Sequence, residues 1–328
     1  MLNSTLGSTV NDAVDEQVIS ERAFFTHPRY VDLGPISRGA FGDVRRVLDT
    51  RWDRPLAMKI MRRCITSAEY CNKRFMVEVE IMRSLTHPGI LPVHHSGEFD
   101  DGRLWFTMPE VRGCTFAVVL DELHARDVYD VFRSSSFRHA LTSFAQFCEI
   151  VDFAHGHGVV HRDLKPKNMM IAVEGETFVI DWGIAKQLTS EPHLAATNGK
   201  SKARQARTEP GEVLGTPAYM PPEQAFGNIP LQSSASDVYS LGAVLYHLLA
   251  GQPPYRGTRP AVLAQIKRGA PHPIADVFRG DRNPPKELVG LCEAAMLRLP
   301  DKRISRARAI AQAIRDWLDK SADFNSQF

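Results

Sequence analysis

Eight residues near the middle of the chain, HRDLKPKN at 161–168, combine three groups that suit phosphoryl transfer. Asp163 can accept a proton from an attacking hydroxyl, and Lys165 can neutralise the charge of a phosphoryl group in transit. The amide oxygen of Asn168 can bind a divalent metal ion. Because the reaction needs an oriented nucleophile, countercharge and a metal, this run predicts that chemistry. Apolar residues flank it on both sides, so we expect a loop held between buried elements.

A second acid, Asp181, follows Asp163 by 18 residues. Two short strand-like runs, MMIAV and TFVID, are separated by a turn at 174–176 and predict a hairpin. Asp181 is the last residue of the second run. Asp181 thus stands where a second metal-binding carboxylate is needed for phosphoryl transfer.

Upstream, the run SRGAFGDV at 37–44 lies between two strand-like segments. Gly39 and Gly42 let the backbone approach phosphates closely, although hairpin turns use the same residues. Lys59 then ends an apolar run, and Glu78 flanks the apolar stripe of an amphipathic segment at 68–85. A lysine held by a glutamate can bind the α- and β-phosphates of a nucleotide. The alternative for Lys59 is a lysine that snorkels from a sheet edge.

In their order and spacing, these motifs resemble those of eukaryotic-type (Hanks-type) serine/threonine protein kinases, over about residues 30–318. The segments GTPAYMPPEQ at 215–224 and DWG at 181–183 resemble bacterial members most. The resemblance implies ATP as the nucleotide, Mg²⁺ or Mn²⁺ as the metal, and Ser or Thr hydroxyls of proteins as acceptors. It implies catalytic roles for five residues and metal binding for two; the first set is Asp163, Lys165, Asn168, Lys59 and Glu78, and the second is Asn168 and Asp181.

The resemblance also implies which residues surround the nucleotide. Met108 matches the gatekeeper at the entrance to the hinge, where Pro109 would offer only its carbonyl and Val111 its amide to adenine. The complete implied set is Ser37, Gly39, Gly42, Val44, Ala57, Lys59, Met108, Pro109, Val111 and Met170. Met108 and Val111 are plain core residues in the alternative interpretation.

The implied fold class is α+β, a bilobal protein-kinase-like fold. Its small lobe has a five-stranded antiparallel sheet with one regulatory helix, and its large lobe is mostly helical. Strand-like runs lie at 31–36, 44–48, 56–61, 91–96 and 104–108, and helical segments lie at 68–85, 137–151, 236–251 and 304–318. We expect a flexible tail at 1–29, a kinase domain at 30–320 and a second tail at 321–328. Within the domain, the small lobe covers about 30–108, the hinge 109–113 and the large lobe 114–320.

Three residues depart from the family pattern. Ser37 replaces the first glycine of the loop, Trp182 replaces a phenylalanine, and Pro221 replaces an alanine. They motivate an alternative function, a pseudokinase scaffold that binds nucleotide or partners without turnover. Lys59, Glu78, Asp163, Asn168 and Asp181 are all present, which favours the active enzyme. A small-molecule phosphotransferase would share the Asp and Asn but would not be expected to carry GTPAYMPPEQ.

The large lobe contains further matches to the family. Asp237 corresponds to a buried acid that anchors the backbone of the catalytic loop, and Arg303 corresponds to an arginine that pairs with Glu223. Residues 184–215 are polar and rich in Ser and Thr, which is long for a loop in a compact domain. Arg162 would bind a phosphate there, so we predict autophosphorylation within 189–208, first at Thr208. The alternative is an insertion with no regulatory role.

Two residues bear on substrate choice. Lys167 stands where many kinases that prefer basic substrates have a glutamate, and His247 stands ten residues after Asp237, where some have a second acid. We therefore predict no preference for arginine two residues before the acceptor. In the alternative interpretation Lys167 merely points to solvent.

Composition limits the remaining function classes. The net charge of +2 over 328 residues gives no general attraction to nucleic acid or to a membrane surface, so we expect neither as a partner. No apolar run approaches the roughly 18 residues of a membrane span. The five cysteines include no C-x-x-C pair, which favours a reducing, cytoplasmic location. Autophosphorylation would require transient self-association.

Overall fold

A computed structural model describes residues 24–39, 42–62, 68–125, 131–183, 185–187, 217–277 and 284–325. Within these ranges the chain forms a small β-rich lobe and a larger, mainly helical lobe, which confirms the predicted fold class. Most of the tail expected at 1–29, the loop tip at Phe41 and the Ser/Thr-rich region at 189–208 lie outside the described residues.

The small lobe is an antiparallel sheet with the strand order β1-β2-β3-β5-β4. The strands are β1 (Tyr30–Arg38), β2 (Gly42–Asp49), β3 (Arg54–Met61), β4 (His95–Glu98) and β5 (Leu104–Met108). Helix α1 (Ala68–Ser84) packs against this sheet. The register places Val44 opposite Lys59 and Ala57 opposite Met108, so the side chains expected near a nucleotide lie on adjacent strands.

The fourth strand differs from its predicted position at 91–96. Pro92 has no amide to donate to a sheet ladder, so pairing cannot begin there. It begins where the amide of His94 donates to the carbonyl of Thr107 at 2.8 Å, and the strand itself starts at His95.

Residues 24–29 pack on the sheet, although the sequence suggested that they continue the flexible tail. Phe25 is buried and stacks on Phe99 with the ring centroids 5.0 Å apart, on the sheet face opposite Lys59. The guanidinium of Arg29 donates two hydrogen bonds to the carboxylate of Asp49, at 2.8 and 2.7 Å. Aromatic packing and a bidentate ion pair therefore attach this segment to the lobe.

The large lobe consists of helices joined to short strand pairs. Its helices are α2 (Phe116–Ala125), α3 (Ser135–Gly156), α4 (Pro222–Ala225), α5 (Ser234–Ala250), α6 (Arg259–Arg268), α7 (Ile274–Val277), α8 (Lys286–Ala295) and α9 (Ala307–Asn325). Its strands are β6 (Gly113–Thr115), β7 (Val159–Val160), β8 (Met169–Ala172), β9 (Thr177–Val179) and β10 (Lys186–Gln187). Helix α9 continues past residue 320, the end expected for the domain. Among the described residues, no helix is long and apolar enough to cross a membrane.

Helix α5 lies at the centre of the large lobe, and nearly all of its side chains are buried. Ser233 and Ser236 form a capping box at its start, in which each side chain bonds the other residue's backbone. Gly251 ends the helix at φ 72°. A Cβ atom on Gly251 would also lie 3.0 Å from the ring of His124, so both the conformation and the space favour glycine.

A buried ion pair connects the start of α4 to the loop before α9. The guanidinium of Arg303 donates to both carboxylate oxygens of Glu223, each at 2.8 Å, and both side chains are almost fully buried. Ser236 of α5 donates a further hydrogen bond to Glu223 at 2.7 Å. This finding confirms the pairing expected from the sequence, and it fixes the segment around 217–225 to the helical core.

The described cysteines are not all reduced thiols. Cys114, Cys148 and Cys292 are free, whereas Cys71 on α1 is disulfide-bonded. Burial raises the pKa of the Cys148 and Cys292 thiols, so these two behave as inert core residues.

Candidate functional site

The HRDLKPKN run forms a loop between β7 and β8, and α5 holds its backbone. Both carboxylate oxygens of Asp237 are used: one accepts from the amide of Arg162 at 2.9 Å and the other from the amide of His161 at 2.8 Å. His155 lies 2.8 Å from the same carboxylate. Burial alone would raise the pKa of Asp237, but the hydrogen bond from His155 and its charge lower it. Asp237 is therefore an anion that fixes the loop, and His155 supports that anion.

Within this loop, the three candidate catalytic side chains contact one another. The ammonium of Lys165 donates to Oδ2 of Asp163 at 2.6 Å. The amide nitrogen of Asn168 donates to the backbone carbonyl of Asp163 at 2.9 Å, which leaves the amide oxygen of Asn168 as its remaining acceptor. These contacts orient the Asp163 carboxylate at the surface of the cleft.

Lys59 links the sheet, the regulatory helix and the loop that carries Asp181. Its ammonium lies 2.6 Å from Oε1 of Glu78 on α1 and 3.0 Å from Oδ1 of Asp181. Burial alone would lower the pKa of Lys59, but the charges of Asp181 and Glu78 raise it above its usual value. Lys59 in turn lowers the pKa of Asp181 to about 2. Burial raises the pKa of Glu78, and the charge of Lys59 opposes that shift.

The segment 181–183 is fixed by contacts on both sides. Asp181 adopts a left-handed backbone conformation at φ 65°, which is uncommon outside glycine and occurs often at functional sites. Trp182 is almost fully buried, lies against His161 with the ring centroids 4.6 Å apart, and donates its indole N–H to the carbonyl of Val179 at 3.2 Å. Arg74 of α1 donates to the carbonyl of Gly183. The larger aromatic ring is therefore accommodated with its polar group satisfied.

All residues of the candidate site line one cavity of about 520 Å³ between the two lobes. This volume is in the range of small-molecule sites. The predicted nucleotide residues, the five candidate catalytic residues and Asp181 all face it; they are Ser37, Gly39, Gly42, Val44, Ala57, Lys59, Glu78, Met108, Pro109, Val111, Asp163, Lys165, Asn168, Met170 and Asp181. The sequence motifs therefore meet at one place in the fold.

The cavity also has lining residues that sequence reasoning missed. They are mainly apolar side chains from both lobes, with one threonine and two charged residues: Ile36, Met82, Leu91, Phe106, Val179, Ile180, Thr115, Arg38 and Glu110. The alternation of inward and outward residues along β1 and β5 was the signal available for Ile36 and Phe106. Thr115 had no such signal, because it reaches the cavity only through the pairing of β6 with β8.

The hinge can serve a planar, hydrogen-bonding ligand. No turn or loop hydrogen bond within the described ranges uses the carbonyl of Pro109 or the amide of Val111. Both residues line the cavity, and Ala57, Met108 and Met170 give it apolar walls. Free backbone groups between apolar walls are the arrangement that a purine base requires.

The residues present fit a divalent metal ion that is bound together with phosphate groups. Carboxylate and amide oxygens are the ligands that Mg²⁺ prefers, and Asp181 and Asn168 supply one of each. Among the described residues, no group of three or more His, Cys, Asp or Glu side chains suits a metal. A site with two protein ligands matches Mg²⁺ held partly by the phosphates of a nucleotide.

Comparison with known proteins agrees with this geometry. Residues 30–316 match the model of the family described as "Protein kinase domain". The chain is 28% identical over 315 residues to a protein named serine/threonine-protein kinase PknD from Chlamydia muridarum, across 91% of this chain and 32% of that protein. It is 34% identical over 236 residues to the protein of that name from Protochlamydia amoebophila, across 70% of this chain and 24% of that protein. The chain thus spans a third or less of the length of these relatives.

Proposed function

Because this chain belongs to the protein kinase family, we propose that it transfers the γ-phosphoryl group of ATP to Ser and Thr hydroxyls of proteins. The observation that carries the proposal is the single cavity onto which Lys59, Glu78, Asp163, Asn168 and Asp181 all face. The names of the relatives, serine/threonine-protein kinase PknD, support the choice of acceptor.

ATP would lie across the cavity with its adenine at the hinge. The carbonyl of Pro109 would accept from the adenine amino group, and the amide of Val111 would donate to the ring. Val44, Ala57 and Met170 would cover the faces of the base. Lys59, held by Glu78, would bind the α- and β-phosphates, and the backbone at Gly39 and Gly42 would lie over them.

Mg²⁺ would be held by Asn168 and Asp181. When bound, the metal would offset negative charge on the phosphate groups. The low pKa of Asp181, about 2, keeps its carboxylate ionised and ready to bind a cation throughout the neutral range.

The reaction uses the contacts of the catalytic loop. The acceptor hydroxyl donates a hydrogen bond to Asp163, and its oxygen attacks the γ-phosphorus. The bond from the γ-phosphorus to the bridging oxygen breaks, ADP leaves, and the hydroxyl proton passes to Asp163. Lys165, which lies 2.6 Å from Asp163, stabilises the negative charge on the transferred group.

No observation in the described part of the chain favours the pseudokinase alternative. Trp182 is packed and hydrogen-bonded, and Pro221 lies at the start of α4, a position where the absence of an amide costs little. Ser37 lines the cavity beside Gly39 and removes no charge from it. The three departures therefore leave the groups needed for turnover in place.

The experiment compares the unchanged protein with Asp163→Asn in Mg²⁺ and labelled ATP, followed by phosphosite mapping. General-base and orienting groups contribute about 10²–10⁴-fold, so we expect a loss of that size with nucleotide binding retained. Asp301→Asn, which changes an exposed aspartate in the turn at 300–302, is the matched control. Near-normal turnover by Asp163→Asn would contradict the mechanism.

Several further features remain proposals that rest on the sequence. Autophosphorylation within 189–208, with Thr208 as the first acceptor and transient self-association as its route, predicts lower activity after phosphatase treatment and in Thr208→Ala. Full activity in protein that mass spectrometry shows to be unmodified at 189–208 would contradict it. A cytoplasmic location and the absence of nucleic acid partners are proposed on composition alone.

A further inference from the structure

Lys167 lies at the mouth of the cavity, among residues that have other assigned tasks. It belongs to the turn Pro166–Asn168, next to Asn168 and four residues after Asp163. Its side chain is exposed, yet it lines the cavity together with Asp163 and Thr115. An acceptor hydroxyl that reaches Asp163 must therefore bring its neighbouring residues close to Lys167.

The carboxylates that line the cavity already contact other cations. Glu78 and Asp181 contact Lys59, at 2.6 and 3.0 Å. Asp163 contacts Lys165. None of these three carboxylates contacts Lys167.

The remaining carboxylate, Glu110, accepts from Arg46 at 2.8 Å. The two acids on α2, Asp121 and Glu122, do not line the cavity. Within the described ranges, no ion pair or hydrogen bond involves Lys167 itself. Its charge is thus available to a ligand.

The contact between Tyr219 and His247, which do not line the cavity, supplies no negative charge. The hydroxyl of Tyr219 lies 2.8 Å from Nδ1 of His247, which can accept its proton as a neutral ring. Burial, with the nearby charge of His124, lowers the pKa of His247 to about 4. The half-buried His247 is therefore uncharged near pH 7 and offers no negative charge to a basic residue of a substrate.

We propose that Lys167 is a specificity-determining residue that selects acceptor segments with an acidic or phosphorylated side chain within about three residues of the Ser or Thr. An extended peptide advances about 3.3–3.6 Å per residue, so residues within three positions of the acceptor lie within about 10 Å of the hydroxyl held at Asp163. The proposal rests on the protein kinase activity proposed above. It assigns Lys167 to the peptide and not to the nucleotide.

The test measures kcat/KM for three peptides that differ only in the residue two or three positions from a common Thr: aspartate, alanine or arginine. The unchanged protein should prefer the aspartate peptide. A charge contact at an exposed or half-buried position changes affinity by about two- to fivefold. We therefore expect Lys167→Ala to reduce the preference for the aspartate peptide by that factor. Lys167→Glu should reverse the preference, in favour of the arginine peptide. Lys320→Glu, an exposed lysine on α9, is the matched control and should leave the preference unchanged.

Three outcomes separate the possible failures. An unchanged peptide preference in Lys167→Glu would overturn the inference while leaving the kinase activity intact. A raised KM for ATP with an unchanged peptide preference would assign Lys167 to the nucleotide and would also overturn it. Absence of Asp163-dependent phosphorylation of every peptide and of the protein itself would overturn the proposed function.

Discussion

The carboxylate of Asp237 accepts a hydrogen bond at 2.9 Å from the backbone amide of Arg162, a residue in the left-handed conformation at φ 67°. Such a conformation is unfavourable for a residue with a side chain, and it persists only where the surroundings enforce it. Asp237 also accepts from the adjacent amide of His161. A single buried anion on α5 therefore compensates the strain that turns the chain toward Asp163.

Asp237→Asn should impair activity more than its conservative size suggests. The asparagine side chain has one acceptor oxygen, so its NH₂ group would face one of the two amide donors. A buried donor without a partner costs about 1–3 kcal/mol, and we expect a loss of stability of that size. Because the hydrogen bond that is lost fixes the backbone of the catalytic loop, kcat should fall at least tenfold.

Chemical denaturation and steady-state kinetics measure the two effects of Asp237→Asn. The exposed Asp319→Asn on α9 serves as the control. Unchanged kcat in a variant with the expected loss of stability would show that the anchor supports the lobe but does not position the loop.

Removing either partner of the Glu223–Arg303 pair should destabilise the protein strongly. Both side chains are almost fully buried, so Arg303→Met would leave the Glu223 carboxylate without its counter-ion. Breaking a buried pair in this way costs about 3–5 kcal/mol. Urea denaturation of the two single variants and of Glu223→Gln/Arg303→Met measures the coupling. We expect the double variant to lose less than the sum of the single losses; strict additivity would contradict it.

The site was predictable because its residues lie in short motifs whose internal spacing carries the chemistry. Asp163, Lys165 and Asn168 fall within one turn and its preceding loop, so their mutual contacts follow from local sequence. Lys59 and Glu78 are 19 residues apart, and the apolar stripe of α1 indicated which face Glu78 borders.

Other features depend on packing between distant segments, which no local pattern reports. Phe25 and Arg29 dock through Phe99 and Asp49, so composition alone placed them in the tail. Thr115 reaches the cavity only because β6 pairs with β8.

His247 should make folding stability depend on pH between about 4 and 6.5. The pKa of His247 is about 4 in the folded protein, and a histidine's ordinary value is 6.5, so in this interval the unfolded state binds the proton more readily. Stability is therefore complete above pH 6.5 and declines as the pH falls toward 4. The groups near the ring are Tyr219, His124, Asp121 and Arg256.

The change His247→Gln removes this titration and keeps a side chain that can bond Tyr219. Between pH 7.5 and 5.0, the free energy of unfolding should fall less for His247→Gln than for the unchanged protein. Denaturant titrations at the two pH values provide the measurement, and other histidines cancel in the difference. Equal declines in both proteins would mean that His247 is not protonated on unfolding in this range.

Lys59→Met should weaken productive binding of ATP and also release the two carboxylates that Lys59 joins. Glu78 is buried, and the loss of its counter-ion would raise its pKa further, so it should take up a proton. The pKa of Asp181 is about 2 in the unchanged protein, mainly because of the charge of Lys59. Without that charge the pKa should rise toward its ordinary value. We expect kcat/KM for ATP to fall at least a hundredfold, with the larger part in kcat because phosphate alignment is lost. Kinetics with varied ATP measure the split, and Lys320→Met is the control; a rise in KM with kcat preserved would show that Lys59 contributes binding alone.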